Sequence, residues 1–185
     1  MPIRKPQPNI YPESLIDMVR PSADRHWWVL YTMTRREKDL MRQLKARGVA
    51  YYGAVYEKKT RSPKGRVRTS LVPLFPSYVF LFGDDNERRT ALRTNCVAHT
   101  DPVPIAVPFT EELQQIDKLL RSGLPITPEA RLEPGETVFV NSGSFKGLIG
   151  TLIRREKENR LVVAVSFLQK GASIELNDFE VDAIR

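Results

Sequence analysis

Along the first two thirds of the chain, stretches whose hydrophobic residues recur with the period of a β-strand alternate with stretches that have the period of an α-helix. The apolar run "WWVLYT", Trp27 to Thr32, has the composition of a strand. The next stretch, "RREKDLMRQLKARG", predicts a helix with Leu40, Met41 and Leu44 on one face and Gly48 at its end.

The same alternation continues beyond this helix. "GAVYEKKTRSPKGRVRTSLV" predicts two strands joined by a basic loop, with Pro63 and Gly65 at its tip. A strand from Ser77 to Phe82 and a short helix from 86 to 93 are predicted next. "TEELQQIDKLLRSG" predicts a further helix, which Thr110 would cap. These elements predict the α+β class, in which helices pack on an N-terminal antiparallel sheet.

Proline-rich stretches divide the chain. Residues 1–24 are rich in proline and predict a flexible lead, apart from a helical turn in "SLIDMV". Residues 122–133 predict a linker between a first domain, 25–121, and a second, 134–185. The second domain shows five short strand patterns without a helix between them, which favours a small closed β-barrel.

Composition excludes several classes of protein. The chain is 41% hydrophobic and 28% charged, and no apolar run approaches the ~18 residues that span a bilayer. The N-terminal residues lack the apolar segment of a secretory signal. A single cysteine, Cys96, excludes an internal disulfide framework. We therefore expect a cytoplasmic protein that does not contact membranes.

Residues with catalytic chemistry are few. Cys96, His99 and Asp101 invite comparison with a nucleophilic triad, but a buried cysteine and a loop histidine explain them more simply. One cysteine and two histidines do not form the usual structural zinc site. "GSFKG" lacks the ending of a phosphate-binding loop. We expect no enzymatic activity, no metal and no cofactor.

Positive charge is concentrated in the first domain. From Pro134 onward, basic and acidic residues are equal at seven each, so the net charge of +7 lies before that residue. Residues 35–47 hold six basic and two acidic side chains, and residues 57–68 hold six and one. Such density suits contacts with phosphate groups, although a solvated face would also account for the helix.

The stretch "VPLFPSYVF", Val72 to Phe80, combines aromatic residues with two prolines. Pro73 and Pro76 interrupt strand pairing, which places the stretch at the beginning of a strand or along an edge. Phe75 and Tyr78 then belong either to the core or to a surface that binds another protein. The residues alone leave both interpretations open.

Taken together, the motifs resemble the NusG family of transcription elongation and antitermination factors. The resemblance rests on "WWVLYT" before a basic helix, "LFPSYVF" after a basic hairpin, and "PGETVFVNSGSFKGLIGTLIRR" in the second domain, and it covers Arg25 to Arg185. It implies a NusG N-terminal domain followed by a five-stranded, SH3-like KOW barrel. Ser77 stands where the usual motif has glycine, and the chain looks closer to the RfaH-like and capsule-operon paralogues.

The resemblance also implies two binding surfaces in the first domain. An apolar surface that grips the clamp helices of RNA polymerase would include Tyr31, Phe75, Pro76, Tyr78 and Phe80. Basic side chains facing the DNA of the transcription bubble would be Arg35, Arg36, Arg42, Lys58, Lys59, Arg61, Lys64, Arg66 and Arg68. Such a factor acts as a monomer without catalysis and suppresses pausing or termination.

For the KOW domain, the resemblance implies recruitment of a second partner. That partner is the termination factor Rho or a small-subunit ribosomal protein, and the surface would include Phe145 and Leu168. Barrel core is the alternative for both residues, and strand alternation favours the core for Phe167. The alternative function is that of an RNA-binding or ribosome-associated KOW protein, which needs no aromatic polymerase surface.

Overall fold

The structure, a computed structural model, describes residues 9–63, 65–155, 158–176 and 181–183. It divides into two compact units between Val107 and Pro108. The strands of the first unit are β1 (Ile10–Tyr11), β2 (His26–Thr32), β3 (Tyr51–Tyr52), β4 (Val55–Arg61), β5 (Val67–Pro73), β6 (Tyr78–Gly83) and β7 (Val97–Pro102). Its helices are α1 (Leu15–Met18), α2 (Glu37–Ala46) and α3 (Asp85–Leu92).

Five of these strands form an antiparallel sheet in the order β1-β3-β6-β2-β7. Because side chains alternate along a strand, Leu30, Val79 and Leu81 point to the same face of the sheet. They join a buried cluster with side chains of α2 and α3, namely Leu40, Met41, Leu44 and Ala91. The predicted α+β fold is confirmed.

Helix α2 matches its sequence prediction closely. Leu40, Met41 and Leu44 are buried together, and Gly48 adopts a positive φ of 69° just after the helix. A residue without a Cβ adopts this left-handed conformation at no steric cost. The amphipathic spacing and the terminating glycine were therefore sufficient to place this helix.

The N-terminal segment is more ordered than the proline content predicted. Strand β1 pairs with β3, and Ile10, Leu15, Ile16 and Val19 are buried. The helical turn expected in "SLIDMV" is present as α1, whereas the expectation of a flexible lead is wrong for strand β1; residues 1–8 lie outside the described part of the chain. A strand of two residues is too short to produce a periodic pattern.

The second unit contains the strands predicted for it and one more. Its elements are α4 (Ala106–Arg121, which begins just before the unit boundary), β8 (Thr127–Glu129), β9 (Glu136–Val140), β10 (Ile149–Arg155), β11 (Glu158–Val165), β12 (Lys170–Glu175) and β13 (Val181–Ala183). The sheet order is β13-β9-β10-β11-β12-β8, and every pairing is antiparallel. The five predicted strands are β9 to β13.

Two boundaries differ from the sequence prediction. Helix α4 begins at Ala106, so Thr110 lies inside the helix and is buried rather than capping it. Pro108 is the third residue of the helix, and a proline is tolerated in the first helical turn. Strand β8 lies within the predicted linker and pairs with β12, where Glu129 accepts a hydrogen bond from the buried Ser173 hydroxyl.

The turn between β5 and β6 depends on an unusual backbone conformation. Ser77 has a φ of 68°, in a backbone region that residues other than glycine rarely adopt. The buried carboxylate of Glu37, at the start of α2, accepts a hydrogen bond from the Ser77 N–H at 2.8 Å. The Ser77 carbonyl accepts another from the Thr32 N–H at 2.8 Å. These bonds fix the position at which β6 begins.

We expect Ser77→Gly to raise the free energy of unfolding by about 0.5–1 kcal/mol, because glycine removes the left-handed strain and only part of that gain is offset by a more flexible unfolded chain. Denaturant unfolding followed by tryptophan fluorescence measures the change in the first unit, since both tryptophans, Trp27 and Trp28, lie in β2. Ser14→Gly is the control because Ser14 has a φ of −83°, and it should give no gain. A similar loss of stability in both variants would contradict the argument.

Candidate functional site

Three aromatic side chains form a row across the sheet on the face opposite α2 and α3. Tyr31 of β2 pairs with Tyr78 of β6 on one side and with His99 of β7 on the other. The Tyr31 and Tyr78 ring centroids lie 5.0 Å apart, and the His99 ring stacks on Tyr31 at 3.8 Å with an interplanar angle of 12°. We call Tyr78, Tyr31 and His99 the aromatic row; the two tyrosines are partly exposed and His99 is exposed.

A carboxylate adjoins this row. Asp101 lies two residues beyond His99 on β7 and therefore on the same face of the sheet. Its Oδ2 lies 3.6 Å from His99 Nε2, and the Tyr31 phenol hydrogen-bonds to it. Partial burial, followed by this hydrogen bond and the negative charge of Asp101, raises the pKa of Tyr31 above its ordinary value. Tyr31 is therefore a neutral hydrogen-bond donor at physiological pH.

The proline-bounded stretch contributes both surface and core. Tyr78 is partly exposed and Pro76 exposed, but Phe75 and Phe80 are only 2% and 0% exposed. The Phe75 ring contacts the Phe80 ring edge-on at 6.1 Å. This corrects the expectation that Phe75 and Phe80 lie on the open surface, because both side chains are buried in the core.

Strand register explains why Tyr78 and Phe80 differ although they point to the same face. Phe80 lies opposite Val29 on β2 and opposite Tyr52 on β3, so it is flanked by strands on both sides. Tyr78 is the first residue of β6 and lies beyond the two-residue strand β3. The aromatic row is therefore at the end of the sheet, where the face is open.

The basic loop of the first unit is a β-hairpin formed by β4 and β5, which pair only with each other among the described residues. Alternation divides its side chains between two faces. One face carries Lys58 and Arg68 with the cross-strand hydroxyl residues Ser70 and Thr60. Two of the cations predicted to meet phosphate, Lys58 and Arg68, are thus neighbours on a polar surface.

The other face of the hairpin is less polar. It carries Lys59 and Arg61, but also Glu57 and the exposed apolar side chains of Val67 and Leu71. Arg66 lies in the connecting turn, and Lys64 lies outside the described residues. The five described cations of the loop therefore do not form one patch.

The basic side chains of the α2 region are exposed but partly neutralised. Arg36 and Arg42 both form ion pairs with Asp39, at 3.2 and 2.9 Å. Arg35 precedes the helix with a φ of 62°. The hairpin consequently presents more unpaired positive charge than the helix.

The nucleophilic triad considered for Cys96, His99 and Asp101 does not form. Cys96 is buried in the core on the helix side of the sheet, and its burial raises the pKa of the thiol. His99 stacks on Tyr31 on the opposite face. Across the described ranges, no group of three histidine, cysteine, aspartate or glutamate side chains could hold a metal ion, and no helix is long and apolar enough to cross a membrane.

In the second unit, Phe145 and Leu168, the predicted partner residues, are the last residues of two short 3₁₀ turns, Gly143–Phe145 and Ser166–Leu168. Phe145 is fully buried, which places it in the core rather than on a docking surface. Leu168 is partly exposed. Phe167, expected in the core, is also partly exposed and contacts Phe109 of α4 edge-on at 6.3 Å.

Sequence reasoning missed His99 and Asp101 as neighbours of Tyr31. Strand β7 was not predicted, because "VAHTDP" has little apolar alternation. The two residues acquire their position only through the pairing of β7 with β2, which includes an irregularity between Tyr31 and Thr32. A pattern read along one strand does not contain that information.

Comparison with known proteins identifies several relatives. The family model described as "Transcription termination factor nusG" matches residues 25–116. A "Transcription termination/antitermination protein NusG" from Rickettsia typhi is 27% identical in an alignment of 188 positions. That alignment covers 89% of this chain and 95% of the relative. A protein of the same name from Buchnera aphidicola subsp. Baizongia pistaciae is 31% identical over 63% of this chain and 68% of the relative.

We expect Phe75→Ala and Tyr78→Ala to differ sharply in stability. Removing the buried Phe75 ring should lower the free energy of unfolding by about 3–5 kcal/mol, whereas loss of the partly exposed Tyr78 ring should cost about 1 kcal/mol. Denaturant unfolding monitored by tryptophan fluorescence gives both values. Equal losses would mean that Phe75 is not part of the core, and only Tyr78→Ala is suited to binding experiments.

Proposed function

Because the chain belongs to the NusG family, we propose that it binds the clamp helices of RNA polymerase through the aromatic row. The protein is a transcription termination/antitermination factor and not an enzyme. The observation that supports the polymerase contact is the open, ordered row of Tyr78, Tyr31 and His99 at the end of a rigid sheet. Tyrosine combines a large apolar area with a polar tip, which suits a protein interface.

The proposed mode of contact is a helix lying across a groove-like aromatic surface. Pro76 is exposed beside Tyr78, so its rigid ring would extend the surface along the β5–β6 turn. Phe75 and Phe80 are buried and would contribute by fixing the strand and turn that carry Tyr78. Binding would suppress pausing only if the protein has a higher affinity for the elongating polymerase than for the paused one.

We expect Tyr78→Ala and Tyr31→Ala each to weaken binding to core RNA polymerase by about tenfold or more, because tyrosines at the centre of an interface carry much of the binding energy. Binding is measured with purified core enzyme by biolayer interferometry. Tyr11→Ala is the matched control, since Tyr11 is a partly buried tyrosine that packs on the opposite, helix-covered face. Undiminished binding by a folded Tyr31→Ala, Tyr78→Ala double variant would overturn the proposal.

We also propose that the hairpin contacts DNA of the transcription bubble, chiefly through the face that carries Lys58 and Arg68. Cross-strand Ser70 and Thr60 keep this face polar, and their hydroxyls donate to the Lys58 and Arg68 carbonyls of the hairpin itself. The opposite face includes the negative charge of Glu57 and the apolar Val67 and Leu71, which phosphate does not stabilise. Arg35, Arg36 and Arg42 would contribute at longer range.

We expect Lys58→Glu with Arg68→Glu to weaken DNA crosslinking in a reconstituted elongation complex at least tenfold and to reduce its salt dependence, since two phosphate contacts are lost. Lys59→Glu with Arg61→Glu changes the charge equally on the other face and should have a smaller effect. Equal effects of the two pairs would show that only net charge matters. If neither pair changes the crosslinking, the hairpin does not contact DNA and its cations are simply solvated.

The second unit supports a further part of the proposal. We propose that residues 134–185 form a KOW domain that recruits Rho or a small-subunit ribosomal protein. Leu168 is partly exposed on the second 3₁₀ turn and remains a candidate for this contact. Phe145 is buried and would support the surface from inside.

A further inference from the structure

Within the described part of the chain, the carboxylate of Asp101 pairs with the His99 imidazole and with no permanently charged side chain. Among the described residues, no lysine or arginine lies within ion-pair distance of it, and its neighbours are the Tyr31 phenol and the His99 imidazole. Its side chain is 44% exposed, so another molecule can reach it. Asp101 thus places negative charge on the aromatic face of a unit whose surplus charge is positive.

The surroundings of Asp101 suit one type of ligand group. A guanidinium group is planar, stacks on aromatic rings and binds carboxylates through paired hydrogen bonds. The His99 side chain is 57% exposed, and β7 is an edge strand, so no further strand of this sheet covers the side of the imidazole that faces away from Tyr31. An open ring face and a carboxylate therefore lie side by side.

The groups that form this arrangement are held in place. Tyr31 stacks on the His99 ring at 3.8 Å and interacts with the Asp101 carboxylate, so it adjoins both groups. A carboxylate at this position repels phosphate, which argues against nucleic acid as the ligand and in favour of a basic protein segment. The hairpin, whose charge is positive, provides the contrasting surface.

We propose that His99 and Asp101, positioned by Tyr31, form a recognition site for one arginine side chain of the polymerase segment that binds the aromatic row. This proposal rests on the proposed polymerase contact. The guanidinium stacks on His99 and pairs with the Asp101 carboxylate, while Tyr31 and Tyr78 bind the apolar part of the same segment. The arginine would thereby fix the orientation of the segment on the row.

The test compares Asp101→Asn with Asp24→Asn in binding to core RNA polymerase without nucleic acid. Asp24 is an exposed aspartate outside the row, so its variant removes the same charge elsewhere. We expect Asp101→Asn to lose about tenfold in affinity and to show a weaker salt dependence, because a charge-assisted pair is removed. Asp24→Asn should bind as the unaltered protein does. His99→Ala should also lose affinity, and His99→Phe, which keeps a flat ring, should retain most of it.

A second measurement checks the geometry in the free protein. Asp101 raises the pKa of Tyr31, so Asp101→Asn should lower that pKa in an ultraviolet titration of the tyrosines. If the Tyr31 pKa does not move, or if Asp101→Asn binds polymerase with unchanged affinity and salt dependence, the arginine site is refuted. If the arginine site is refuted, loss of binding in the Tyr31→Ala, Tyr78→Ala double variant still supports the polymerase contact, whereas undiminished binding by that variant refutes the polymerase contact itself.

Discussion

The hydrogen bond from the Ser77 N–H to the buried carboxylate of Glu37 determines where the aromatic surface lies. It joins the first turn of α2 to the turn before β6, and Tyr78 follows immediately. A buried carboxylate without a donor would be costly, so this contact and the conformation of the turn depend on each other. The φ of 68° at Ser77 is a conformation that glycine adopts without steric cost.

The first unit keeps surfaces of opposite electrostatic character on separate elements. The aromatic row and Asp101 belong to the five-stranded sheet, while the exposed cations Lys58 and Arg68 belong to a hairpin that forms its own two-stranded sheet. The Lys38 ammonium donates to the Leu71 carbonyl at 2.7 Å and ties the base of the hairpin to α2. The charge of the hairpin can therefore change without a change in the strands that carry the aromatic row.

Sequence patterns predicted the long elements and failed where pairing decides the outcome. The spacing of Leu40, Met41 and Leu44 was enough for α2, and alternation was enough for the five strands β9 to β13. Alternation did not show that Phe80 is buried, because β6 is buried on both faces and the alternation of its side chains then carries no information about exposure. The three-residue β8 and the contact of His99 with Tyr31 depend on partners that are distant in the sequence.

The buried phenylalanines explain how a partly exposed tyrosine row can serve as a firm binding surface. Phe75 and Phe80 contact one another, and Phe80 stacks with Tyr52 at 6.3 Å, so the strand that carries Tyr78 is fixed from within. Side chains held this way lose little conformational entropy when a partner binds, which leaves more of the contact energy for affinity. The question whether "LFPSYVF" is core or surface has a divided answer. Its phenylalanines form the core on which its tyrosine is displayed.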